Sequence, residues 1–365
     1  MILILKRKEL HNQMKVVFTI ANMAGGGSER VISILANQFV KRGIDTAILM
    51  TAGNTIEYAL DSKVETVSMG GTSGGSMKKR IERISAMRQY FMQEGNKDAV
   101  LVAFGPGTAF YTWMSSLGLG NKLIISERND PSACPHPILR NMVYNRASRL
   151  VFQTYQARDC FPKRIAQRGE VIPNPIKPNL PEPYVRERPK TVVAVGRLED
   201  QKNYPLLIKA FSEFHKEFGE YSLHIYGKGY LEEELKRLSY NELELTDKNV
   251  IFEGFRTDVN DCIRNAGMYI LSSDYEGISN ALIEALAMGI PTISTDCPIG
   301  GSAMCIKDGV SGLLVPVGDA TKLAEAMKKL AENEEYASLL GQKALEIRNK
   351  YDENTITENW INIIK

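Results

Sequence analysis

Two carboxylates, Glu276 and Glu284, stand eight residues apart in the run Asp-Tyr-Glu-Gly-Ile-Ser-Asn-Ala-Leu-Ile-Glu that occupies 274–284. The apolar residues around Glu284 predict a helix, with Glu276 in the loop before it and Glu284 about two turns inside, at roughly 3.6 residues per turn. The amides of Gly277, Ile278, Ser279 and Asn280 then point out of the helix N-terminus, where unsatisfied N–H groups and the macrodipole favour an anion. A carboxylate on so apolar a helix needs donors, and a ribose diol has them. Together these residues form an anion site flanked by two acceptors for sugar hydroxyls, which suits a phosphorylated sugar.

Arg197 and Lys202 lie in Gly-Arg-Leu-Glu-Asp-Gln-Lys-Asn (196–203), directly after a β-branched run at 191–195. Two fixed cations at a strand end can stabilise the charge that develops on a departing diphosphate. The competing reading is a solvated surface pair, and the strand-end position favours the ligand role. Gly25, Gly26 and Gly27 precede a helix opening at Ser28, so backbone can approach a phosphate there. The sequence has neither G-x-G-x-x-G nor G-x-x-x-x-G-K-[ST], which argues against dinucleotide and P-loop sites. Gly227-Lys228-Gly229, after a run at 222–226, is equally a tight strand-to-helix turn or a ligand contact through Gly227.

The elements that must position these residues alternate strand and helix twice over. Strands are expected at 16–20, 46–50, 64–68, 99–104, 122–126, 150–152 and 170–172, then at 191–195, 222–226, 249–253, 268–271, 292–295 and 312–315. Such alternation implies parallel sheets covered on both faces, an α/β architecture of two doubly wound, Rossmann-like domains. Six prolines between 173 and 189 break the rhythm and read as a linker. The expected division is a first domain over 1–178 with an extension at 1–13, a linker at 179–190, a second domain at 191–349 and a last segment at 350–365. In such sheets ligands bind at the carboxyl ends of the strands, so the two domains are expected to face one another across a cleft.

At 365 residues, 44% apolar and 24% charged, the composition is that of a globular protein of two domains. Five cysteines without a C-x-x-C pair and four scattered histidines argue against a disulfide framework or a zinc site, and fit a reducing cytoplasm. The uncharged run at 99–121 is punctuated by Gly105-Pro106-Gly107, which predicts a strand, a turn and a helix at 108–119 instead of a membrane span. Residues 1–180 carry 24 Lys plus Arg against 13 Asp plus Glu, and the remainder is acidic. A basic first half suits an anionic partner such as a membrane surface or a phosphorylated acceptor. The segment 77–92 combines Lys78, Lys79, Arg80, Arg83 and Arg88 with apolar residues at helical spacing. It reads either as a membrane-surface helix or as a domain helix with a solvated basic face. A nucleic-acid role lacks support, since the basic residues have no interleaved aromatics.

Gly-Gly-Gly-Ser-Glu-Arg (25–30), the loop at 196–203, Glu-Gly-Phe (253–255) and the Glu276-x7-Glu284 pair together resemble the family 4 retaining glycosyltransferases of the GT-B fold. The resemblance implies a donor nucleotide-sugar in the second domain and a C-terminal helix, at 354–364, crossing back to the first. It makes Arg197 and Lys202 the diphosphate clamp, Glu284 the ribose ligand and Glu276 the contact to donor-sugar hydroxyls. By the same resemblance, the amides of 277–280 bind phosphate, Gly26 and Gly27 touch the diphosphate from the other domain, and no metal or other cofactor is required. Residues 125–131 resemble bacterial members that extend lipid-linked oligosaccharides, capsule or O-antigen. Where many of those have a histidine this chain has Glu127 and Arg128, the candidate acceptor-side residues. The run at 296–301 departs from the Gly-Pro-Arg-Glu expected there.

The resemblance therefore implies transfer of a hexose or N-acetylhexosamine from a UDP-sugar to a saccharide acceptor that is lipid-linked, in the cytoplasm on the inner face of the plasma membrane. A non-hydrolysing sugar-nucleotide epimerase of the same architecture, or a silent sugar-nucleotide-binding protein, are the alternatives. The scarcity of histidines counts against the first, and intact Arg197, Lys202, Glu276 and Glu284 against the second.

Overall fold

A computed structural model of the chain describes residues 14–70 and 76–365, so the extension expected at 1–13 lies outside the described residues. The chain divides into two units, Met1–Pro175 with Glu353–Lys365, and Ile176–Asp352.

In the first unit the strands are β1 (Lys15–Ile20), β2 (Asp45–Met50), β3 (Glu65–Ser68), β4 (Val100–Phe104), β5 (Leu123–Ser126), β6 (Arg149–Phe152) and β7 (Gly169–Val171). They form one sheet in the order β3-β2-β1-β4-β5-β6-β7, and every pairing is parallel. Alternate residues of each strand face opposite sides. Val16, Phe18, Val102 and Phe104 bury against the Gly27–Lys41 helix, through Val31, Leu35 and Phe39, and against Trp360 and Ile364 of the Glu353–Ile364 helix. Val17, Leu49, Leu101 and Ile125 bury on the other side against Met87, Phe91, Ala109 and Val143, from the helices Met77–Met92, Pro106–Ser116 and Pro137–Tyr144. Both faces being covered explains why these strands are apolar without a polar alternation.

The uncharged run resolves into β4, a turn at Gly105 with φ +83°, and the Pro106–Ser116 helix. The helix starts two residues earlier than expected because Pro106 sits at its first position, where a missing N–H costs nothing. Among the described residues no helix is long and apolar enough to cross a membrane.

The second unit repeats the plan with β8 (Thr191–Val195), β9 (Ser222–Tyr226), β10 (Val250–Gly254), β11 (Met268–Leu271), β12 (Thr292–Thr295) and β13 (Leu313–Val315), ordered β10-β9-β8-β11-β12-β13. Val192, Leu223 and Ile225 pack on Leu207, Phe211 and Phe214 of the Tyr204–His215 helix and on Leu323, Met327 and Leu330 of Ala320–Glu332. Val193, Tyr269 and Leu271 pack on Leu282, Ile283 and Leu286 of Asn280–Ala287.

The proline-rich stretch is tied into this unit. The Arg188 guanidinium donates to the carbonyls of Arg264, Ala266, Tyr184 and Gly289, and Arg348 donates to the carbonyl of Pro181. Prolines supply no backbone N–H, so this stretch is anchored through side chains: Arg188 reaches out from it to carbonyls of the unit, and Arg348 reaches in to the carbonyl of Pro181. Before the last segment the chain forms two helices, Glu334–Ala344 and Ile347–Lys350.

Candidate functional site

The order of the second sheet reverses between β8 and β11, and ligands of open parallel sheets bind at the carboxyl ends flanking such a point. Lys202 comes from the loop after β8 and Glu276 from the loop after β11. The Lys202 ammonium donates to Glu276 Oε2 at 2.5 Å, with side chains 13% and 15% exposed. Ser273 Oγ donates to the same carboxylate oxygen at 3.3 Å.

The two loops are stitched together. Asp274 N–H donates to Gln201 O (3.0 Å), Gln201 Nε2 to Tyr275 O (3.0 Å), Asn203 Nδ2 to Asp274 Oδ1 (2.6 Å), and Ser272 Oγ to Lys202 O (2.8 Å). Asn203 takes the left-handed conformation, φ 43°, that asparagine tolerates, and its side chain caps the next helix by accepting from Leu206 N–H at 3.1 Å. Of these supports, sequence reasoning missed Gln201, Asn203, Ser273 and Asp274. The one available signal was the cluster of short polar residues, Ser272-Ser273-Asp274, at a strand end.

Ser279 caps the Asn280–Ala287 helix, accepting from Leu282 N–H at 3.4 Å, and Gly277, Ile278 and Ser279 are buried. Glu284 is the fifth helical residue, so it lies nearer the N-terminus than the two turns expected, and it is 2% exposed. Gly301 presses against this loop from behind, since a Cβ there would lie 1.6 Å from Gly277 O. Glu276 raises the pKa of the buried Tyr204 and Tyr269 hydroxyls, secondary to the burial that raises both. The site is therefore a cation and a carboxylate, mutually paired, beside a capped helix N-terminus and a buried second carboxylate.

Arg197 does not join the pair. Its guanidinium is exposed and bonds Glu199 at 3.0 Å, two residues along the same loop. Gly227 has a packing reason to be glycine, because a Cβ there would lie 1.9 Å from Gly196 O. The turn after β9 is thereby pressed onto the Arg197 loop, and Leu198 N–H donates to Lys228 O at 3.0 Å.

In the first unit Gly26 is the N-cap residue of the Gly27–Lys41 helix, its carbonyl accepting from the Tyr58 hydroxyl at 2.8 Å. The carboxylates of Glu57 and Glu29 lie over the turn, where Cβ atoms on Gly25 and Gly26 would meet them at 2.6 and 2.2 Å. Glu127 and Arg128 follow β5, but both are buried in hydrogen bonds to their own unit, 3% and 6% exposed. Glu127 Oε1 accepts from Arg128 N–H (3.0 Å) and its Oε2 from the Tyr144 hydroxyl (2.8 Å). The Arg128 guanidinium donates to Asn174 and lies over the Phe104 ring. Burial raises the Glu127 pKa and lowers that of Arg128. The Met77–Met92 helix exposes Met77 and Ile81 beside Lys78, Lys79 and Arg80, while Arg83 is buried under the Tyr111 ring. Among the described residues no cluster of three His, Cys, Asp or Glu side chains could hold a metal ion.

Residues 189–333 match the family described as glycosyl transferases group 1. A *Campylobacter jejuni* α-1,4-N-acetyl-D-galactosaminyltransferase named for a GalNAc-GalNAc-diNAcBac-diphospho-undecaprenol is 27% identical over 96% of this chain and 98% of its own. An uncharacterized glycosyltransferase of *Haemophilus influenzae* is 24% identical over 96% of this chain and 99% of its own. Among solved structures, that of *Anabaena* HepE in complex with UDP superposes with a TM-score of 0.80, at 16% identity, over 96% of this chain and 98% of that one. Residues 189–333 are thus a glycosyl transferases group 1 domain, carried on a chain of the GT-B fold.

Proposed function

We propose that this chain is a retaining transferase that moves a hexose or N-acetylhexosamine from a UDP-sugar to a saccharide acceptor carried on a polyprenyl diphosphate, in bacterial surface-glycan synthesis. One observation carries the reading: Lys202 and Glu276 converge at the strand-order reversal beside the helix that buries Glu284. In this reading Lys202 and Arg197 neutralise the diphosphate, and the 277–280 backbone lies along it. Glu284 holds the ribose and Glu276 the donor sugar. The bound UDP of the *Anabaena* neighbour and the undecaprenol-linked substrate named for the *Campylobacter* relative support the choice of donor and acceptor.

The bond from the sugar's anomeric carbon to the diphosphate breaks, and the acceptor oxygen bonds to that carbon on the same face. The acceptor's proton passes to the departing diphosphate, so no strong protein base is needed. Two cations supply the charge a metal would otherwise supply, so chelators are expected to leave the rate unchanged. The exposed Met77 and Ile81 with Lys78, Lys79 and Arg80 fit peripheral contact with an anionic membrane.

Purified protein, offered UDP-GlcNAc, UDP-GalNAc and UDP-glucose with a short polyprenyl-diphosphate oligosaccharide, should transfer sugar with retention at the anomeric carbon. Lys202→Ala and Glu284→Ala should each abolish transfer. Turnover of UDP-GlcNAc without an acceptor would identify an epimerase instead, and transfer at the normal rate by Lys202→Ala would sink the assignment.

A further inference from the structure

We propose that Lys202 and Glu276 form an exchange pair that makes reading of the donor sugar conditional on capture of the diphosphate; this rests on the donor-site reading above. The Lys202 ammonium and Glu276 Oε2 are 2.5 Å apart, and among the described residues the ammonium has no other hydrogen-bond acceptor. Glu276 engages one of the ammonium's three N–H donors and screens its charge, so the full cation is available to a phosphate only when the carboxylate releases it. A diphosphate, with more charge than one carboxylate, is the ligand that can draw it away.

Glu276 is then left without its cation in a poor place to be alone. Its side chain is 15% exposed, and the buried Tyr204 and Tyr269 hydroxyls and the Cys297 thiol all feel its charge. A carboxylate desolvated to that degree requires new donors. Ser273 Oγ, at 3.3 Å, supplies one, and the hydroxyls of the donor sugar supply the rest.

The loops themselves need not move. Asp274 is bonded to both Gln201 and Asn203, and Gln201 also to Tyr275 O, so the change is confined to two side chains. The consequence is asymmetric binding. A full UDP-sugar breaks the pair and satisfies both partners, whereas UDP breaks the same pair and strands Glu276. Loss of the sugar to the acceptor therefore weakens the grip on the UDP that remains, which favours its release.

Titration calorimetry with UDP, with uridine as the phosphate-free probe, tests this in four proteins: wild type, Glu276→Gln, Lys202→Met and the double variant. Glutamine is isosteric and can still accept from Ser273 and Lys202, so it removes the charge and not the shape. Glu276→Gln should bind UDP about tenfold more tightly than wild type and uridine equally well, since the phosphate no longer has to part a largely buried ion pair. In the Lys202→Met background the same substitution should give no gain, because there is no pair left to release.

A tenfold gain that persists without Lys202 would mean simple repulsion between Glu276 and phosphate, and would overturn the exchange. The same follows if Glu276→Gln gains nothing for UDP while Lys202→Met weakens it, an outcome that leaves the donor site standing. UDP affinity indifferent to Lys202→Met would overturn the donor-site reading as well.

Discussion

Glu127, a candidate acceptor-side residue by sequence, is buried among its own donors, the Tyr144 hydroxyl and two backbone N–H groups. Burial dominates those donors and raises its pKa, so the folded chain holds this proton more tightly than the unfolded chain does. The sign follows directly. The contribution of Glu127 to stability is fully present below the unfolded pKa, about 4.3, and is lost as pH rises through the higher folded value. Glu127→Gln keeps both hydrogen-bonding positions and removes the proton linkage. Urea unfolding between pH 4 and 8 should therefore give a curve that falls less steeply for the variant, by at most about 1.4 kcal/mol per pH unit in that window; parallel curves would contradict the assignment. Nothing in the local sequence announces this network, because Tyr144 lies 17 residues away and the Asn174 partner of Arg128 lies 46 away. The same holds for Lys202 and Glu276, whose residue types were legible in their motifs but whose pairing spans 74 residues. Residue identity is local information and partnership is not.

Elements fared differently, and the reason is periodicity. The β-branched runs ending in Gly or polar clusters located the thirteen strands of the described residues to within a residue or two, since a strand buried on both faces cannot be other than apolar. The Pro137–Tyr144 helix went unread because its apolar residues Ile138, Leu139 and Met142 are exposed, 87%, 39% and 45%, which blurs the pattern a core-facing helix shows. Where two elements meet through bare backbone, the constraint becomes testable. Gly301 opens a short helix against Gly277 O, with no room for a methyl group, and the obstructing atom is backbone. Gly301→Ala must displace the 276–280 loop and with it the capped N-terminus of Asn280–Ala287. The expected outcome is UDP binding weakened at least about tenfold with a modest loss of stability, of order 1–3 kcal/mol, as for other overpacked sites. Calorimetry and urea unfolding on the same samples separate the two, and unchanged UDP affinity would remove that loop from the donor site. On the Met77–Met92 helix, Ile81→Glu alters a side chain that is 60% exposed, so it should spare the fold while lowering sedimentation with vesicles rich in anionic lipid. Equal sedimentation would leave the basic face as a solvated one.

At the scale of the molecule, each unit has its own pair of cores, and the last helix belongs by contact to the unit where the chain began. Ile356, Trp360, Ile361 and Ile364 complete one face of the first sheet. The Trp360 ring is fully buried and stacks on Phe104 at 5.8 Å, and Lys122 holds the helix end through the carbonyls of Ile363 and Ile364. Arg42 adds hydrogen bonds to Glu358 and Asn354. The sequence contained the apolar stripe of this helix but not its address, because a stripe states that a face will be buried without naming the surface that buries it. Removing the largest side chain of that stripe should therefore damage one unit selectively. Trp360→Ala leaves a cavity beneath Phe104 and costs about 3–5 kcal/mol, within the range for buried aromatic truncations. Scanning calorimetry should then show the first unit melting earlier as a separate transition, while the second keeps its own. UDP should still raise that surviving transition by mass action, since Lys202, Glu276 and Glu284 all reside in the second unit. A single transition that falls as a whole would mean that the two units unfold as one cooperative body, and that the C-terminal helix stabilises the entire chain.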